Sequence, residues 1–374
     1  MGKPILEFAL AIAIAAVAHG ADDTERLQAM LDSGGGRVTF PDGTFTVSKT
    51  LLISSDTHLV CSPRTHLRLA DMANCPILMN RGWQPGGVSS NITVEGGVWD
   101  GNNTRQKRGK IRVENSPGGG DIGQLVEFAG VSNLRLSGMT LKDPDSFCIE
   151  ITDIDGFVIE DITFDCNDKT PNQDGLHVDG WARNGRISNL RGHTNDDMVA
   201  LNSDEGLWRS PSNDIENVVI DGLYGGDDGY TAVRLLSRFA NVRNIVIRNV
   251  FGEFKYYGVY FSHWWQKEVR FDLGHFDNIT IENFYASGTK SRRNLGEFSM
   301  VNFQSGIQHA GLITVRNLSH VEGPDHAVRK RTINLECGVR VRKLVLDNVE
   351  QRIPFDIPLL MVDPDAKVDK LVVR

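Results

Sequence analysis

Along most of the chain the apolar residues follow a pattern that fits neither a helix nor one straight strand. It reads apolar-x-apolar-x-x-apolar-x-(apolar or small). Early copies are Ile92-Val94-Gly97-Trp99, Leu134-Leu136-Met139-Leu141 and Phe157-Ile159-Ile162-Phe164. Later ones are Val218-Ile220-Leu223-Gly225, Ile245-Ile247-Val250-Gly252 and Ile279-Ile281-Phe284-Ala286. Weaker copies start at Gly185, Ile313 and Leu344, and a truncated one at Leu371. Period two on each side of a two-residue shift describes two short strands meeting at a corner. Asparagines recur at that corner (Asn91, Asn133, Asn217, Asn244, Asn278, Asn283, Asn317, Asn348), where the left-handed backbone of a sharp bend is tolerated. Copies begin roughly twenty to forty residues apart, the length of one coil of a solenoid. The pattern therefore predicts an all-β chain, a single right-handed parallel β-helix over residues 22–374. No alternating helices support a doubly wound fold or an α/β barrel. An antiparallel sandwich would not repeat one corner so many times.

Asp22 to about Ser33 carries a capping Asp-Thr and the helix-like run Glu25–Asp32, and is expected to lid the first coil. Before it, Met1-Gly-Lys-Pro leads into an apolar stretch from Ile5 to Ala18, interrupted by Glu7. Residues 1–21 thus resemble a signal peptide and are too short for a comfortable membrane span. The expected location is secreted or periplasmic, and no other stretch is apolar enough to cross a membrane.

Composition adds three constraints. Glycine is abundant, at 38 of 374 residues, as a chain of many tight turns requires. The net charge of −8, without a long basic run, argues against nucleic acid as a partner. Cys61, Cys75, Cys148, Cys166 and Cys337 show neither a CxxC pair nor metal-site spacing, so no metal and no cofactor is expected. A Cys61–Cys75 disulfide is compatible with the spacing, and the odd count leaves at least one free thiol.

Chemistry concentrates in two consecutive coils. One reads Asn172-Gln-Asp174-Gly-Leu-His177-Val, the next Asn195-Asp196-Asp197-Met-Val-Ala-Leu-Asn202-Ser203. Asp174 precedes Asp196 by about one coil, so stacking brings three carboxyl groups to one outer face. Like charges at close range raise the pKa of one member while another stays ionised. That split is what protonating a glycosidic oxygen and activating water require. Aspartates that merely cap turn amides are the bland alternative, and Asp153, Asp155 and Asp221 are read that way.

At these residues the chain resembles glycoside hydrolase family 28, the polygalacturonase-like enzymes on the pectin-lyase-like β-helix. Their pattern Asn-x-Asp-Gly, then Asp-Asp-x-Val-Ala-x-Asn-Ser, is met by Asn172-Gln-Asp174-Gly175 and Asp196-Asp197-Met-Val-Ala-Leu-Asn202-Ser203. Gly97-Val-Trp-Asp100-Gly101 looks like the family's Gly-x-x-Asp-Gly turn, and Gly35-Gly-Arg-Val-Thr-Phe-Pro-Asp-Gly-Thr-Phe45 like the start shared by pectin-lyase-like proteins. The resemblance implies inverting hydrolysis, with Asp196 as general acid and Asp174 and Asp197 orienting the attacking water. Two departures stand out. The family's Gly-His-Gly is replaced by Gly225-Gly-Asp-Asp228-Gly, leaving His177, His193 or His263 to substitute in space. The family's Arg-Ile-Lys becomes Arg234-Leu235-Leu236, which removes a lysine that helps hold a uronate carboxylate.

Further substrate contacts are expected from Asn172, Asp228 and Arg234, and from the aromatic stretch Tyr256-Tyr257-Gly-Val-Tyr260-Phe-Ser-His263-Trp264-Trp265. Aromatic rings stack on sugar faces; by strand alternation Tyr257 and Tyr260 are expected to point to opposite sides. Trp208 is a candidate cleft wall, and the basic runs Arg105–Arg112 and Lys290–Arg293 read as solvated loops. The expected partner is a polysaccharide or oligosaccharide. Two alternatives remain: a lyase on the same fold, reading Asp227-Asp228 as calcium ligands and Arg234 as base, and a non-catalytic glycan-binding spike or adhesin.

Overall fold

The computed structural model describes residues 22–33, 35–107, 124–204, 212–226, 229–263, 273–288, 298–323, 331–354 and 356–374. Residues 1–21, Trp208, Asp227, Asp228, Trp264, Trp265 and the Lys290–Arg293 run lie outside that set. Among the described residues, 24 strands join in one hydrogen-bonded system in which each strand pairs in parallel with its counterpart a coil away. This is a parallel β-helix.

The corner pattern is realised as strands that bend without breaking. Asn241–Phe254 and Leu273–Gly288 each run through a corner marked by an asparagine at positive φ, Asn249 (φ 58°) and Asn283 (φ 52°). The corner asparagines also bond to one another. Asn244 donates to Asn217 at 3.0 Å and Asn278 to Asn244 at 2.9 Å, while Asn317 donates to Asn283 at 3.1 Å. Identical amides at identical positions thus satisfy each other along the axis, as stacking requires. Inward positions fill a continuous apolar core: Ile220, Ile247, Ile281 and Val315 are consecutive rungs, all fully buried. Gly185 occupies an inward position because a Cβ there would stand 2.0 Å from the ring of Phe157.

The helix Thr24–Asp32 forms as expected and buries Leu27 and Leu31 over the first coil. Lidding this end keeps an open strand edge from recruiting another chain. All five cysteines are free, so the Cys61–Cys75 disulfide is not formed; Cys61 is buried, and burial alone pushes its thiol up to about 12. No helix among the described residues is long and apolar enough to cross a membrane.

Candidate active site

The candidate face is the outer side of the short-strand sheet Leu176–Asp179, Asp197–Asn202, Thr231–Leu236 and Val259–Ser262. Alternation sends Leu176 and Val178 into the core and turns His177 and Asp179 outward. The register pairs Leu176 with Val199, which sets Asp174 beside Asp197 rather than beside Asp196. Gly175 N donates to Asp197 O at 2.9 Å. Only glycine fits at 175, since a Cβ would lie 2.5 Å from Met198 O and 2.6 Å from the ring of Phe164.

One carboxylate oxygen from each of Asp174, Asp196 and Asp197 lies within 4.8 Å of the other two. Asp174 and Asp197 are buried and Asp196 half-buried. Burial, then the charges of Asp197 and Asp174, pushes the Asp196 carboxyl well above the usual range, against the pull of Arg234 and His177. Asp197 is pushed up to about 7, by burial first and Asp174 second. Arg234 opposes that shift with Nη1 3.8 Å from Asp197 Oδ2, as does the Thr231 hydroxyl. The three carboxyls therefore cannot all ionise near neutrality, and one proton stays among them. They are also close enough to share a single cation.

His177 lies below this cluster. Its Nδ1 meets Asp174 Oδ2 at 2.6 Å, its Nε2 lies 3.1 Å from Asp179 Oδ1, and its ring stacks on Phe147 at 3.9 Å. Burial pushes the imidazole pKa down, but the bonds and charges of Asp174 and Asp179 outweigh burial and carry it well above the ordinary value. With 2% of its surface exposed, His177 cannot reach a sugar, so the expectation of a substrate contact is corrected to a clamp on Asp174.

The remaining candidates separate. Arg234 stands over Ala200, next to Tyr260, and its Nε donates to Ser262 Oγ at 3.0 Å. Tyr257 and Tyr260 stack at 4.1 Å with planes 12° apart, which corrects the expectation of opposite directions. Tyr257 precedes the strand Val259–Ser262, so alternation does not govern it. Asn172 is half-buried at a left-handed turn (φ 60°), two residues before Asp174. His193 sits at the preceding corner with Nε2 2.8 Å from Asp168 Oδ1. His263 follows the opposite end of its strand, with Nε2 2.8 Å from Ser305 O, so it cannot stand in for the family's histidine; two coils and some six residues along the strands place it about 20 Å from the carboxylates. Asp228 and Trp264 lie outside the described residues.

Sequence reasoning missed Phe147, Asp179 and Tyr230. Tyr230 and Tyr256 stack at 3.9 Å, and burial first, then the Tyr256 bond and the Asp196 charge, raises the Tyr230 phenol. Asp179 was legible, being two residues after His177 on the same strand face. Phe147 and Tyr230 lie in turns with no period to mark them.

The family model described as Glycosyl hydrolases family 28 matches residues 74–253. A search of the curated proteins finds no match. Among solved structures, a tailspike protein of an E. coli bacteriophage in complex with a hexasaccharide is similar at 14% identity, covering 94% of this chain and 61% of that one, with a TM-score of 0.64. The A-module of an Azotobacter vinelandii mannuronan C-5 epimerase gives 14%, 95%, 96% and 0.56. A Yersinia enterocolitica family 28 exopolygalacturonase gives 15%, 94%, 75% and 0.52. At such identities these likenesses speak to the fold alone. The segment 74–253, which contains the whole acidic cluster, carries the pattern of the family 28 glycosyl hydrolases on a parallel β-helix.

Proposed function

We propose that the protein is a glycoside hydrolase that cleaves a polysaccharide or oligosaccharide. Asp196 delivers a proton to the glycosidic oxygen, while Asp197 and Asp174 orient the water that attacks the anomeric carbon and accept its proton. The carrying observation is the convergence of three carboxyls from two consecutive coils within 4.8 Å, with burial and mutual charge holding Asp196 in its protonated form. Their spacing is shorter than the roughly 6.5–9.5 Å usual of inverting pairs. Inversion therefore comes from the family resemblance, and proton NMR of the first-formed anomer decides it.

Among the described residues Arg234 is the partly exposed cation beside the cluster, and His177 lies buried beneath it. Leu236, in the place of the family's lysine, is buried between Asn202 and Ser262, so this site carries one positive charge fewer for a uronate. A neutral or sparsely charged glycan fits that balance. Export with removal of residues 1–21 is part of the same reading.

The test is product analysis over a panel of polysaccharides and aryl glycosides. New reducing ends without the ultraviolet absorbance of unsaturated sugars, insensitive to chelator and lost in Asp196→Asn, are expected. Absorbance that disappears with chelator would make the protein a lyase. Binding without any product would make it a glycan-binding spike.

A further inference from the structure

Among the described residues the outer face of the catalytic sheet is open over a small area. On the N-terminal side of Arg234 the outward ladder runs Glu127, Glu150, His177, Ala200, and all four are at most 2% exposed, with Phe147 lying flat on His177. Arg234, 27% exposed, and half-buried Tyr260 are the next two rungs. Beyond them the face closes again at Asn302 and Asn334, 1% and 6% exposed. Asn334 donates to Asn302 at 2.9 Å, and Asn302 to Glu336 Oε1 at 2.8 Å. Tyr257 lies on Tyr260 and meets Phe298 edge-on at 5.1 Å. The next outward ladder toward the strand ends, Asn202, Leu236 and Ser262, is fully buried. The open floor therefore spans two rungs, about 10 Å at the usual interstrand spacing, and it is bounded on three sides with the carboxylates on the fourth.

A sugar chain running along the coils needs an open floor on both sides of the cleaved bond; a chain end needs it on one. We propose that Phe147 on one side and Tyr257 with Phe298 on the other confine the substrate to a chain end, so that the enzyme releases terminal sugars and does not cut within the polymer. This rests on the hydrolase reading above and specifies its mode of attack.

The experiment follows a polymer that the wild-type protein cleaves, measuring reducing ends, viscosity and product size together. Terminal mono- or disaccharide accumulating while viscosity and residual polymer size hold is the expected result. Early loss of viscosity with a spread of intermediate oligomers would overturn the proposal while leaving hydrolysis standing, whereas no cleavage of any polymer or oligosaccharide would remove the hydrolase reading itself. In Tyr257→Ala the wall standing over Tyr260 is lowered, and viscosity loss per bond cut rises several-fold. An unchanged ratio in a folded Tyr257→Ala would also count against the wall.

Discussion

Asp197→Asn should stabilise the protein while inactivating it, and only above acid pH. An unfolded aspartate titrates near ~3.9, and burial with the Asp174 charge lifts Asp197 in the folded state to about 7. Between those values the folded protein holds a proton that the unfolded chain has released, so folding loses stability as pH rises from about 4 to 7. A shift of about 3 units corresponds to about 4 kcal/mol at full extent. Asparagine imitates the neutral carboxyl and can still accept from Thr231, and the pull of Arg234, 3.8 Å away, is already contained in the folded value. The gain above pH 7 is therefore about 4 kcal/mol. Unfolding entropy of about 2.1 cal/mol/K per residue over this length gives about 0.8 kcal/mol/K, hence a rise of about 5 °C in Tm at pH 8. Thermal unfolding of both proteins at pH 4 and pH 8 measures it. Equal Tm at pH 4 with a higher Tm for the variant at pH 8 is expected. A variant that is less stable at both, by the same margin, would refute the electrostatic account of the cluster.

Arg234 pulls both Asp196 and Asp197 down; Arg234→Ala should therefore move the whole pH profile of kcat/KM upward, with about a 10- to 100-fold loss at neutral pH. His177→Gln removes the clamp on Asp174 and leaves two buried carboxylates without their cation. It should cost about 3 kcal/mol in urea unfolding near neutrality and lower kcat far more than it raises KM. The imidazole pKa is raised by folding, so this contribution is complete below ~6.5 and fades only as pH climbs through the higher folded value. Gly185→Ala forces a Cβ to within 2.0 Å of the Phe157 ring and should destabilise by about 1–3 kcal/mol or more by the same assay.

Much of this architecture was written in the chain, because a solenoid repeats its constraints. Asparagines at positive φ recur coil after coil, as Asn217, Asn244 and Asn278 do, and inward isoleucines stack on one another, as Ile220, Ile247 and Ile281 do. The same regularity made the convergence of Asp174, Asp196 and Asp197 legible, although the register sets Asp174 beside Asp197. What escaped lies where periodicity stops. Tyr257 sits one turn before its strand, so the alternation rule misdirected it, and Phe147 and Tyr230 occupy connections of variable length. His177 was read as a substrate contact because it was one of three histidines that could replace the family's missing one, and its strand face does point outward. An outward direction does not imply exposure when an aromatic ring covers the residue.

The most direct measurement is made on Asp196→Asn with the glycan that the wild type cleaves, comparing its Kd by calorimetry with its kcat. Binding within a few-fold of the wild type, together with a loss of about a hundredfold or more in kcat, is the predicted result. Turnover that survives the substitution would contradict the assignment of Asp196 as the proton donor and with it the mechanism built on the three carboxylates.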